Sequence, residues 1–377
     1  MTIVTTLTGT PATGLASVAL PSRRTELREF ALPPATADTG WVRVEASGIC
    51  GTDVTLYNSG VPQECVLGHH AVGEIADLGE AAAQRWGVRP GDHVVLEEYL
   101  PCGHCAQCRA GRYRLCPDTD LWSGGRRLGT VGVAEAPSLW GGNAQYLHLA
   151  PNSVVHRLPP GLPTALAVWA LPLANALDWT LGAGALAPGE DVVVLGPGYH
   201  GLAAVAAACH GGAATVLASG LPSDQARLRI AAGLGAATAE SGGEAAALAL
   251  LTGDGLADVV LDLAGGEAAS VERGLALLRP GGRLVIGGIK SPGGFGLDAA
   301  ELVRRVLTVR AVRGRAPERV TQAIGVLAAG GAGLGAVPTV QVGLDGVGAM
   351  LERLAAGRGP GPPHVVVRPW EDGEGDW

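Results

Sequence analysis

A short apolar run, Asp191-Val-Val-Val-Leu195, leads directly into Gly196-Pro-Gly198-Tyr-His-Gly201 and then into an alanine-rich stretch ending at His210. No other feature constrains the fold as strongly. The order strand, glycine loop, helix is the context in which a G-x-G-x-x-G pattern carries meaning. The first glycine makes the tight turn. The second lets backbone approach a pyrophosphate, and the third lets helix and strand pack closely. The amides at the start of the helix then form a seat for an anion. Gly196, Gly198 and Gly201 are therefore candidate cofactor-binding residues.

The texture around this loop extends the argument. Strands are expected at 191–195, 214–218, 258–262, 283–288 and 307–312, with helices at 202–210 and 224–233 between them. Strands alternating with helices make a parallel sheet covered on both faces, and this succession fits a doubly wound sheet. The first 160 residues read differently. Short β-branched runs are punctuated by Gly, Pro and Asp, as in Trp41-Val-Arg-Val-Glu45, Ala71-Val-Gly-Glu-Ile-Ala76 and Gly91-Asp-His-Val-Val-Leu96. In the first run Val42 and Val44 alternate with Trp41, Arg43 and Glu45, the period of a half-buried strand. A helix is expected over 317–329, a segment ending in His364-Val-Val-Val-Arg368 that returns to the first domain, and a frayed acidic tail over 371–377.

Composition excludes several classes. The net charge of −8 offers no electrostatic case for nucleic acid. Lys290 is the one lysine, so there is no Walker A loop and a single candidate for Schiff-base chemistry. No run of about 20 apolar residues is uninterrupted, and Met1–Leu20 carries no positive charge, so neither a membrane span nor a signal peptide is expected. The expectation is a soluble, cytoplasmic protein. The Arg-rich, Lys-poor composition looks bacterial, from a high-GC genome.

A dinucleotide fold places an acidic residue about 20 residues beyond the fingerprint, on the adenosine ribose. Here the segment reads Leu217-Ala-Ser219-Gly220-Leu221, with no carboxylate. Ser219 and Gly220 leave room for a 2′-phosphate, with Arg227 or Arg229 in reach, which tilts the expected cofactor from NAD(H) towards NADP(H).

Four of seven cysteines fall within fifteen residues, as Cys102-Gly-His-Cys105-Ala-Gln-Cys108 and then Cys116. Four thiolates close a tetrahedral zinc shell with no open position, which makes a structural site. Spacing alone leaves iron open. Cys65 and Cys209 read as small buried hydrophobes.

Taken in order, Cys50-Gly-Thr52-Asp53, Gly68-His69, the four-cysteine lobe, the glycine fingerprint and Arg279-Pro-Gly-Gly-Arg283 resemble the zinc-containing medium-chain dehydrogenase/reductase family, the alcohol, sorbitol and threonine dehydrogenase group. The resemblance implies an α/β fold: a GroES-like β-barrel catalytic domain (1–172 and 314–377, with the zinc lobe at about 98–120) into which a Rossmann domain (173–313) is inserted. It implies an NAD(P)-dependent oxidoreductase acting on a small-molecule substrate, as a homodimer or homotetramer. Cys50 and His69 would be ligands of a catalytic zinc, Thr52 would relay a proton, Asp53 would orient His69, and Asn175 would lie beside the nicotinamide. Tyr57, Trp122 and Trp140 fall where the family lines its substrate pocket.

Two positions depart from the family pattern. His70 replaces the usual Glu after the histidine, and Leu171 stands where the third zinc ligand is expected. Leucine cannot bind a metal. Three readings follow. The catalytic zinc is lost and hydride transfer proceeds at an altered site, with Thr52 or His70 as proton source. Alternatively His70 completes the zinc site with Cys50 and His69, as in a zinc-dependent alcohol dehydrogenase. In the third reading the chain binds nucleotide without turnover.

Overall fold

The computed structural model describes residues 11–291, 293–356 and 361–373. The first ten residues and residues 374–377, most of the expected acidic tail, lie outside them. The chain divides into two compact units: one within residues 1–168, 339–357 and 365–377, the other within 169–338 and 358–364.

The first unit is built on antiparallel strands β1 (Thr13–Leu20), β2 (Arg24–Ala31), β3 (Gly40–Gly48), β4 (Cys65–Val66), β5 (His70–Leu78), β6 (His93–Leu96), β7 (Tyr146–Leu149) and β8 (Val155–Arg157). β2, β1 and β4 form a small sheet. β3 pairs β5, which pairs β6, which pairs β8, while β7 lies along β3. The β-branched runs seen in the sequence thus become neighbouring strands. Val42 and Val44 of β3 pack with Ile75, Val94 and Leu147. The half-buried expectation for β3 fails at Trp41, which is buried with Ala16, Val18 and Val66 on the opposite side. A strand sandwiched between two clusters hides apolar residues on both faces.

The second unit carries the doubly wound sheet. Its strands are β9 (Asp191–Leu195), β10 (Thr215–Gly220), β11 (Ala237–Glu240), β12 (Ala257–Asp262), β13 (Leu278–Ile286) and β14 (Thr308–Ala311). They lie in the order β11-β10-β9-β12-β13-β14, all parallel. Val192, Val193 and Val194 of β9 are fully buried, as a central strand covered by helices on both faces requires. The order reverses between β9 and β10 on one side and β12 on the other, which is where such sheets bind ligands. The chain then returns to the first unit through β15 (Thr339–Val342), next to β16 (His364–Val367), whose Val366 and Val367 pair with β3.

Among the described residues no helix is long and apolar enough to cross a membrane. Cys65 is buried in β4, its thiol pushed up to about 12 by burial and the nearby Asp53 charge. The expectation for Cys209 is corrected: it is exposed near the end of the helix Tyr199–His210.

Candidate functional site

Three constellations of the sequence assemble in space. The first is the four-cysteine lobe. None of the four thiols is in a disulfide, and their sulfurs lie within 4.8 Å of one another. Cys102 Sγ and Cys108 Sγ are 3.9 Å apart. A tetrahedral shell with zinc–sulfur bonds of about 2.3 Å has sulfur–sulfur edges of about 3.8 Å, so the spacing fits zinc. Backbone N–H groups point at the sulfurs: Cys105 N donates to Cys102 Sγ and Cys108 N to Cys105 Sγ. The second of these bonds holds the Cys105 thiol down to about 7, and an N–H bond from His104 lowers that of Cys102. Burial pushes the other two thiols up, that of Cys108 to about 12 and that of Cys116 in the same direction.

The second constellation is Cys50, His69 and His70, three buried side chains whose ligating atoms lie within 4.8 Å of one another. Cys50 sits at the start of the helix Gly51–Ser59. Asp53, one turn on, organises the site from within that helix. Its Oδ2 accepts from the Cys50 N–H at 2.8 Å, and its Oδ1 accepts from the Gly68 N–H and faces His69 Nδ1 at 3.1 Å. With Nδ1 engaged, His69 has Nε2 left for a metal. Burial lowers the His69 pKa, but Asp53 and Cys50 outweigh it and push it up to about 10.

In regular β-structure neighbouring side chains face opposite ways. Here His69 precedes the strand and His70 opens it, and their rings meet edge to face at 4.6 Å. Gly68, just before them, has a positive φ of 91°, and a Cβ there would come within 2.5 Å of Asn143 Oδ1. The expectation of a site short of a third ligand, drawn from Leu171, is corrected by the approach of His70 to Cys50 and His69. Leu171 is a fully buried core residue of the helix Ala170–Leu177, and His70 supplies the third donor. Thr52 is half-buried two residues beyond Cys50, on the same helix.

The third constellation is the glycine loop. Gly196 has φ 94°, and a Cβ on Gly201 would lie 2.0 Å from the Gly196 carbonyl oxygen. A Cβ on Gly198 would meet nothing, so the loop leaves open space before the helix Tyr199–His210, as a pyrophosphate requires. Asn175, in the same unit, is buried, and its Nδ2 donates to His200 Nε2 at 3.1 Å. Its Oδ1 accepts from the buried Arg315 at 3.1 Å. Sequence reasoning missed His200 and Arg315. A histidine between the second and third glycines was the one available signal.

Ser219, at the end of β10, donates to Glu244 Oε1 at 2.6 Å, and Glu244 was likewise missed. Lys290 is not placed for Schiff-base chemistry. Its amine donates to Asp262, Ser270 and the Ala264 carbonyl, which uses all three protons. Tyr57 and Trp140 are buried, each bonded to a backbone carbonyl, whereas Trp122 is exposed.

Comparison with known proteins agrees with this geometry. Residues 37–160 match the alcohol dehydrogenase GroES-like domain, and residues 201–329 match the zinc-binding dehydrogenase family. A probable alcohol dehydrogenase of Mycobacterium tuberculosis is 38% identical over 358 residues, covering 92% of this chain and 96% of that protein. The chain belongs to the zinc-containing medium-chain dehydrogenase family. An L-threonine 3-dehydrogenase of Streptomyces avermitilis is another family relative, 32% identical over 84% of this chain and 89% of its own. Among solved structures, the alcohol dehydrogenase from Thermus sp. ATN1 superposes with a TM-score of 0.80 at 28% identity, covering 94% of this chain and 99% of that one. A protein classed as a zinc-binding dehydrogenase from Sinorhizobium meliloti 1021, bound to NADP, gives 0.81 at 25% identity, covering 95% of this chain and 100% of that one. The medium-chain dehydrogenase described here is thus an NAD(P)-dependent oxidoreductase with a GroES-like domain, a Rossmann sheet and a four-cysteine zinc site.

Proposed function

We propose that this protein is a zinc-dependent alcohol dehydrogenase, interconverting a small alcohol and its carbonyl compound, with Cys50, His69 and His70 as the catalytic zinc ligands. The carrying observation is the mutual approach of those three buried side chains. One thiolate and two imidazoles are donors of the type zinc takes, and three protein ligands leave one position for substrate. When bound, the zinc supplies a Lewis acid that draws electron density from the substrate oxygen, and the nicotinamide accepts or returns the hydride.

The chain's own residues do the rest. Asp53 holds His69 by Nδ1, which would leave Nε2 for the metal. Thr52 would relay the proton: in the oxidative direction the alcohol O–H proton would pass to the Thr52 hydroxyl, which would release its own proton towards solvent. Gly196, Gly198 and Gly201 seat the pyrophosphate, and Asn175, held by His200 and Arg315, borders the nicotinamide. The same reading makes the protein a cytoplasmic homodimer or homotetramer.

Metal analysis of the purified protein, paired with an alcohol and carbonyl panel, tests it. The expected result is two zinc per chain, falling to one in His70→Ala with loss of turnover. One zinc in the unaltered protein, with turnover intact, would return the reaction to a site without catalytic metal. Nucleotide binding with no turnover of any panel member would favour a non-catalytic role.

A further inference from the structure

Three neighbouring strands of the first unit, β3, β5 and β6, bring Glu45, Glu74 and His93 together. Glu74 and His93 stand directly opposite each other in the β5–β6 ladder, so they share a face of the sheet. Glu45 lies at an irregularity: the β3–β5 register shifts between Val44 and Ala46, and Glu45 is the residue in the gap. Bulges of this kind re-aim side chains. Two carboxylates and one imidazole thus offer one ligating atom each, all within 4.8 Å of one another. Glu45 Oε1 and His93 Nε2 are 3.1 Å apart.

Two features of the surroundings point to a cation. The Thr164 hydroxyl donates to Glu45 Oε2 at 2.7 Å, which holds the carboxylate with Oε1 towards His93. Carboxylates that ligate metals are commonly hydrogen-bonded in this way. Second, two carboxylates this close repel unless a positive charge stands beside them. The nearby arginines are turned to other partners. Arg43, opposite Glu74 on β3, lies over the Trp370 ring at 4.1 Å. Arg157 pairs with Asp92 at 3.0 Å, and Arg368 donates to Gln341 and to the backbone carbonyl of Glu45. Among the described residues no group donates a hydrogen bond to the Glu74 carboxylate. The His93 side chain is 45% exposed and that of Glu45 21%, so an ion reaches the cluster from solvent.

We propose that Glu45, Glu74 and His93 form a binding site for a divalent transition-metal ion, zinc foremost, separate from the four-cysteine lobe and from Cys50, His69 and His70. Imidazole suits zinc and its neighbours in the first transition row better than calcium or magnesium. Zinc takes imidazole nitrogen and carboxylate oxygen at about 2.0–2.2 Å, which sets tetrahedral ligand atoms about 3.4 Å apart. The Glu45–His93 pair is already that close, and the partly exposed side chains close the rest by rotating about their own bonds. Binding exchanges the Glu45–His93 hydrogen bond for two bonds to the ion, with the imidazole proton on Nδ1. Water takes the fourth position. The ion ties β3, β5 and β6 together at the bulge. Such a site does not depend on whether Cys50, His69 and His70 hold a catalytic zinc.

Calorimetric titration of the full chain with zinc chloride in neutral buffer tests it. The protein is first freed of loosely held metal and its retained zinc is counted. Uptake of one further zinc per chain is expected, weakened at least about tenfold in His93→Gln and in Glu74→Gln. Retained zinc and turnover in both variants are expected to match the unaltered protein. A zinc-soaked crystal is expected to show anomalous scattering at the zinc edge between the three side chains. Should a variant fail to fold, that signal on the unaltered protein still decides, and its absence overturns the proposal. No further uptake, or uptake that either folded variant leaves unmoved, overturns it as well; zinc filling the Cys50 site instead would give the second result. Failure of the catalytic reading shows separately, as a single retained zinc with turnover intact.

Discussion

Asp53 Oδ1 stands 3.1 Å from His69 Nδ1, and the same carboxylate accepts the backbone N–H groups of Cys50 and Gly68. One buried side chain therefore ties together the segments that carry all three proposed zinc ligands. Asp53→Asn keeps the shape and removes the charge. Loss of such a supporting partner costs metal affinity or activity by about 10- to 100-fold. The expected outcome is a fall of that size in kcat/KM, with the more weakly held zinc lost first in a chelator titration and the four-cysteine zinc retained.

The four-cysteine lobe contributes to folding rather than to chemistry. Cys105→Ser is expected to remove one zinc per chain and to lower the melting temperature, because loss of a metal is among the few single changes that cost more than about 4 kcal/mol. Metal analysis and thermal denaturation, run on the same preparation, check both halves. Unchanged zinc content would refute the assignment.

His148 supplies a pH dependence. It lies on β7 between Trp41 and Trp140, with ring centroids 5.2 Å and 4.8 Å away, and its Nδ1 is buried without a hydrogen-bond partner. Burial pushes its pKa from 6.5 down to about 4. The unfolded chain takes up the proton near pH 6.5 and the folded chain only near 4, so the folded state loses stability as pH falls through that window. The full loss is roughly 3 kcal/mol, and above pH 6.5 none of it is felt. His148→Phe is expected to flatten the dependence of urea stability on pH between 6.5 and 4.

Lys290 anchors the ends of β12 and β13. Its amine pairs with the fully buried Asp262, whose backbone carbonyl also accepts the N–H groups of Gly287 and Gly288. Lys290→Met leaves that carboxylate without its cation, a change that costs about 3–5 kcal/mol. A melting temperature within a degree of the unaltered protein would contradict this account.

Legibility followed sequence separation. The glycine loop and the four-cysteine lobe were readable because each motif spans a few residues, and backbone geometry over so short a distance leaves few arrangements. The strands of the doubly wound sheet were readable for a related reason: a strand buried on both faces has an apolar run of its own. The third zinc donor was harder. His70 follows His69 directly, and neighbouring residues of a strand ordinarily face apart, so the sequence does not show that both side chains reach Cys50.

By itself, the sequence determined the doubly wound sheet, the dinucleotide loop and the structural zinc lobe, because each is encoded in local spacing and periodicity. Only the tertiary structure decided the partners of the functional groups. Ser219 meets Glu244 across 25 residues, and Asn175 meets Arg315 across 140. Nothing local dictates such pairs. They form because the packing of helices on the sheet leaves buried polar groups that must bond to one another or pay the cost of burial unmet.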